Sequence, residues 1–199
     1  MNISDPCAVM LKSLEDACGL TAYAKTLAFT TINVATDENY QKNYTNYYRV
    51  RRDDTWLKKY YEYFEAHKND ESISFEQILR YLSNIPHKVK KSSVNPTGLA
   101  TSVEASFSSK MLATINHNYP IWDSQVVRAL GIQLDDSLRG EAKIRAYIEA
   151  YNELTQEIRA FIDTTEGIGC IKQFDATFPN YTYLNSFKKI DFFLWNMGK

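Results

Sequence analysis

AKIRAYIEAYNELTQEIRAFID, residues 142–163, places Ile144, Tyr147, Ile148, Tyr151, Ile158, Phe161 and Ile162 on one stripe. Side chains three, four and seven positions apart share a face at about 3.6 residues per turn, whereas a half-buried strand would alternate at every second position. The stretch therefore predicts a long amphipathic helix with one side turned to a core. Working outward, Ile190, Phe193, Leu194 and Met197 repeat the spacing and predict a C-terminal helix docked on the same core. On the other side, Val126, Val127 and Leu130 follow Asp123, which stands at an N-cap position, and Gly131 is placed to end that helix. A further helix is expected from about Ser106 to Asn116. Ser74 and Gln77 form a capping box ahead of Phe75, Ile78, Leu79 and Leu82, and Pro86 closes that segment. Asp53 or Asp54 can cap a helix carrying Trp56, Leu57, Tyr60, Tyr61 and Phe64. Ala8, Leu11, Leu14, Leu20, Tyr23 and Leu27 suggest one or two helices interrupted near Gly19.

Two polar runs, Thr36 to Thr45 and His87 to Ser102, read as loops, and the second is long enough to expect a functional loop there. With only 7 Gly and 5 Pro, the chain has few of the turns an all-β architecture requires. The expected class is all-α, a compact multi-helix domain over residues 1–199, with two helical lobes around a cleft as its variant. Its 199 residues suffice to bury a core without metals or disulfides.

Cys7, Cys18 and Cys170 are odd in number and never reach a C-x-x-C spacing, so a disulfide framework, a zinc site and an iron–sulfur site are not expected. His67, His87 and His117 lack companions at metal-ligand spacing, and no cofactor is implied. Neither a basic start followed by an apolar run nor any stretch of roughly 18 apolar residues is present, which points to a cytoplasmic protein without a membrane partner. A net charge of −1 runs against nucleic-acid binding by the domain as a whole. Basic groups are nevertheless concentrated at Arg49, Arg51, Arg52, Lys58 and Lys59, and again at His87, Lys88, Lys90 and Lys91. Solvated surface accounts for both groups equally well. Tyr44, Tyr47 and Tyr48 beside Arg49, Arg51 and Arg52 mix aromatics with cations as nucleic-acid surfaces do, and as packed protein surfaces also do.

The segment that departs most from a plain core pattern runs from Val103 to Leu112 and resumes from Tyr119 to Val126. It sets Lys110 at the start of one helix and Asp123 at the start of the next. Residues 110–116 as helix climb about 9 Å, and roughly five extended residues can return that distance, so the two charged ends can meet. A lysine facing a carboxylate suits attack of an amine on a sugar carbon, with the anion stabilising a cationic transition state. Simpler roles compete: Asp123 as an N-cap worth about 1 kcal/mol, Lys110 as an exposed first-turn lysine, and Glu104 as a carboxylate complementing a helix dipole rather than an active-site acid. Ser106, Ser108 and Ser109 have no nearby histidine to support a serine nucleophile.

The stretch from Glu104 through Leu130 resembles the catalytic core of the helix-hairpin-helix DNA glycosylase superfamily, especially a compact branch similar to 8-oxoguanine glycosylases. In that family a lysine opens the helix after the hairpin and an aspartate caps the next helix beyond a proline-containing link. Lys110 matches the first, and Asp123 in PIWDSQVVR (residues 120–128) matches the second. Ser106, Phe107, Ser108 and Ser109 stand where the family has glycines that grip a phosphate, and the lysine and aspartate are closer in sequence than is usual there. The resemblance implies a DNA N-glycosylase with lyase chemistry, in which Lys110 forms a Schiff base with the sugar and Asp123 activates it. Trp122 would stack on a flipped base, Ser109 would help hold a phosphate, and Arg49 and Arg51 would contact DNA. Two rivals remain: a catalytically silent DNA-binding relative, and a protein-interaction domain using its tyrosine-rich surface.

Overall fold

Asp37 begins a helix inside the polar run that the sequence reads as a loop: its carboxylate accepts the Tyr40 N–H at 2.8 Å, and the helix α2 (Glu38–Tyr48) follows. Tyr40, Tyr44 and Tyr48 recur every fourth residue and are all buried, so the face of α2 that meets the core is built from phenol rings rather than aliphatics. Arg49 closes the helix in the left-handed region at φ 52°. The computed structural model describes residues 17–92 and 94–197, so the helix expected over Ala8, Leu11 and Leu14 lies outside the described residues. The first described helix, α1 (Ala17–Thr26), includes Gly19 near its start, and any interruption just before it lies outside the described residues.

Contacts divide the described residues into two compact units, one of residues 21–115 and the other of residues 17–20 together with 116–197. In the first, Asp53 caps α3 (Asp54–His67) by accepting the Trp56 N–H, and the Ser74–Gln77 capping box starts α4 (Phe75–Ser83) as expected. Phe75, Ile78, Leu79 and Leu82 are buried on α4, which packs on α5 (Ala105–Ile115). The expected long loop between them is ordered as a short hairpin, β1 (His87–Lys88) against β2 (Leu99–Ala100), antiparallel with His87 opposite Ala100.

Almost every residue of α5 is buried, including Ser108, Ser109, Lys110 and Thr114. A polar side chain can enter such a helix only if its hydrogen-bonding groups are satisfied nearby. Ser108 Oγ donates to the Glu104 carbonyl at 2.8 Å, Ser109 Oγ to the Ser106 carbonyl at 3.0 Å and Thr114 Oγ1 to the Lys110 carbonyl at 2.7 Å. Each hydroxyl is thus paid into its own helix, three or four residues back.

The second unit begins with an extended segment before α6 (Ser124–Ala129), which Asp123 caps; Gly131 follows at φ +66°. The long helix foreseen at 142–163 is α7 (Gly140–Ile162), followed by α8 (Thr165–Thr177), which the sequence reading does not anticipate, and α9 (Ser186–Met197). α9 packs against α6, α7 and α8, placing Ile190, Phe193 and Leu194 in the core with Tyr151, Ile158 and Phe174. The extended segment is tied to this core by two bonds: Tyr151 Oη donates to the Pro120 carbonyl at 2.7 Å, and the Ile121 N–H donates to Asp191 Oδ1 at 3.2 Å. Among the described residues the architecture is mainly α, and no helix is long and apolar enough to cross a membrane.

Candidate functional site

Lys110 does not open its helix. It is the sixth residue of α5, its side chain is 6% exposed, and Nζ donates to Ser106 Oγ, one turn back, at 2.9 Å. The same ammonium lies 5.5 Å from the centre of the Phe107 ring. A second cation shares that ring: the Arg52 guanidinium carbon is 4.9 Å from its centre and 5.8 Å from that of Trp56. Aromatic faces attract cations most strongly when water is excluded, so Phe107 is a common support for Arg52 and Lys110.

Arg52 is held in turn by Glu104, the residue before α5. Its Nη2 donates to both carboxylate oxygens at 2.8 Å and its Nε to Oε1 at 3.1 Å. Glu104 is 3% exposed, receives Ser102 Oγ at 2.8 Å, and anchors its backbone by donating N–H to Ser83 Oγ at 3.2 Å. His87 Nδ1 is 3.9 Å from Glu104 Oε1 and makes no hydrogen bond. These contacts form one cluster at the start of α5, with Arg52 and Glu104 at its centre and Lys110 joined to it through Phe107. Glu104, immediately before α5, is thereby also the acceptor of a buried, forked ion pair.

The remaining expected site residues are distributed differently. Ser109 is fully buried and its hydroxyl is turned to the Ser106 carbonyl; Ser108 is likewise bonded inward, so neither hydroxyl is presented to a phosphate. Arg49 and Arg51 are exposed on the segment between α2 and α3. Asp123 belongs to the other unit, where Oδ1 accepts the Gln125 N–H at 2.9 Å as the cap of α6. Trp122 is 7% exposed and packs edge-on against Tyr147, with ring centres 5.6 Å apart. Lys110 and Asp123, expected to meet, each have their described partners within their own unit.

The cluster around Glu104 was not legible from spacing, because Arg52 and Glu104 lie 52 residues apart. The one available signal was the run of buried-type residues after Glu104, which leaves a carboxylate at the edge of an apolar helix in need of a cation. Comparisons with protein-family profiles, with curated proteins and with solved structures found no match.

Proposed function

We propose that this chain acts on DNA as a helix-hairpin-helix-glycosylase-like enzyme, removing an altered base through a lysine Schiff base with Lys110 as the nucleophile. The observation that carries the reading is the setting of Lys110: an amine kept from bulk water, supported by the Phe107 ring and bonded to a neutral hydroxyl at 2.9 Å. A reactive amine needs such shelter more than a surface lysine does. In this reading the Lys110 ammonium first gives up a proton, the neutral amine attacks C1′ of the damaged nucleotide, the C1′–base bond breaks, and the base leaves carrying a proton. Deprotonation of the amine and opening of the sugar ring then give the imine. The base must be turned out of the duplex before reaction.

A silent DNA-binding relative is favoured by one feature, the position of Lys110 in the middle of α5 instead of at its mouth. Borohydride trapping separates the two. Purified protein is incubated with duplexes carrying an abasic site or 8-oxoguanine, reduced, and resolved by mass, with Lys110→Gln in parallel. The enzyme reading expects a covalent adduct that disappears in the variant. No adduct and no strand cleavage on any substrate removes the lyase chemistry, and base-release and binding assays then divide a monofunctional enzyme from a silent DNA binder and a protein-interaction domain.

A further inference from the structure

The two basic stretches of the first unit converge on one hairpin. Asp53 Oδ2 accepts the backbone N–H of Lys88 at 2.8 Å across 35 residues of sequence, fastening the base of the hairpin to the start of α3, directly after Arg51 and Arg52. That hydrogen bond is the main reason the Asp53 carboxyl titrates below its usual range. From this anchor the strands run outward, with the Val89 N–H donating to the Gly98 carbonyl at 2.9 Å and Ser92 and Asn95 exchanging backbone bonds at 3.1 Å. Gly98 has φ +65°, and a Cβ there would stand 2.7 Å from Lys91 Cγ, so the ribbon is shaped around a residue without a side chain.

Its surface is one-sided in charge. Lys88, Lys90 and Lys91 are exposed, and no acidic residue occurs between Pro86 and Val103. At the turn Val94 is 92% exposed, with Leu99 48% exposed lower on the ribbon. A valine held in water at the end of a basic arm gains nothing for the fold of the unit. Both features match a polyanion with an apolar interior, which describes duplex DNA: phosphates outside and stacked bases within. A two-stranded ribbon fits the major groove, and apolar side chains that enter between base steps are a recurrent means of distorting a duplex.

We propose that the hairpin described over residues 87–92 and 94–100, with Arg51 next to its base, is a DNA-gripping arm whose lysines neutralise backbone phosphates while Val94 reaches the base stack. The inference rests on DNA as the partner but not on Lys110 chemistry.

The test is fluorescence anisotropy over a salt series, using an intact duplex and one with a tetrahydrofuran abasic analogue. The proteins are wild type, Lys88→Gln/Lys90→Gln/Lys91→Gln and Val94→Ser. These side chains are exposed and the Lys88 backbone anchor is retained; circular dichroism melting checks that the fold is kept. The triple variant is expected to lower the slope of log K against log salt by about 2–3 and to bind about tenfold or more weakly at low salt. Val94→Ser is expected to keep the slope and lose preference for the abasic duplex. If wild type binds DNA and the triple variant matches it in slope and affinity, the arm proposal is overturned while the DNA reading stands. If wild type binds neither duplex at low salt, the DNA reading itself falls. Tighter binding to an RNA duplex or to anionic vesicles than to DNA also overturns the proposal.

Discussion

Arg52 has its charge spread between a carboxylate and two aromatic faces, and its contacts explain why Glu104 can be buried at all. A carboxylate taken out of water loses several kcal/mol of hydration, recovered only when strong donors replace it. Three of the donor contacts to Glu104 come from one guanidinium, whose planar fork matches the two oxygens. Arg52→Met keeps the aliphatic stem and removes the fork, leaving the carboxylate buried without its cation. Because the Arg52 side chain is 24% exposed, we expect a loss of about 2–4 kcal/mol, somewhat less than for a fully buried pair. Urea unfolding measures it, and Arg52→Met/Glu104→Gln should recover part of the loss, since the partners are coupled. A loss below about 0.5 kcal/mol would mark the pair as solvated. At this scale the sequence disclosed its caps and concealed its pairs. Asp37 was inconspicuous, but Asp53, Ser74 and Asp123 stand next to the helices they cap, and a cap acts over two or three residues. The Arg52–Glu104 pair acts across a fold that has first to form.

Helices with aliphatic stripes were readable and the one with a phenolic stripe was not. In α2, Tyr40, Tyr44 and Tyr48 are set among Asn, Gln, Lys and Thr, so the segment has low hydropathy even though its core face is continuous. Tyrosine buries its ring while keeping a hydroxyl that must be bonded, and the Tyr44–Tyr60 hydroxyl pair at 2.9 Å meets that need between helices. The hairpin was read as a loop because its strands are two residues each and the segment joining them is polar and basic. α8 was missed for another reason, since two glycines interrupt its pattern. The two have opposite roles. A Cβ at Gly167 would lie 1.9 Å from the Phe161 carbonyl oxygen, so the first turn of α8 can approach the end of α7 only without a side chain there, whereas nothing lies within 4 Å of a Cβ at Gly169. Gly167→Ala should cost about 1–3 kcal/mol through overpacking. Gly169→Ala should stabilise by about 0.5–1 kcal/mol, through the greater entropy that glycine loses on entering a helix. Thermal melts of the two variants should therefore move in opposite directions; movement in the same direction would contradict the close approach at Gly167.

For the molecule as a whole, the 14 tyrosines provide a titration of folding. Burial raises Tyr44, Tyr60 and Tyr151 well above the ordinary phenol value and pushes Tyr61 up to about 12, and Tyr40 is raised chiefly by the same cause. In each case the protonated phenol is favoured by the fold. Their contribution to stability is therefore fully present below about pH 10 and is lost as pH rises through the folded values. Tyrosinate absorbance should develop in two stages: first a reversible rise from solvent-exposed rings, then a cooperative rise that coincides with loss of helical circular dichroism. A single smooth titration with the helices intact would show the phenol cluster to be open to water. The helical class was legible from the sequence, and two lobes were foreseen only as a variant without residues assigned to them, since periodicity reports which face of a helix is buried and not which helices share a core. That partition bears on synthesis. Residues 21–115 form an uninterrupted stretch, so that unit is complete in sequence while later residues are still being added. The helices α6 to α9 of the other unit are made only afterwards. A nascent chain halted shortly after residue 115 has cleared the ribosome would thus already hold every ring of its phenol-lined core, Tyr40, Tyr44, Tyr48, Tyr60 and Tyr61, before α6 to α9 exist.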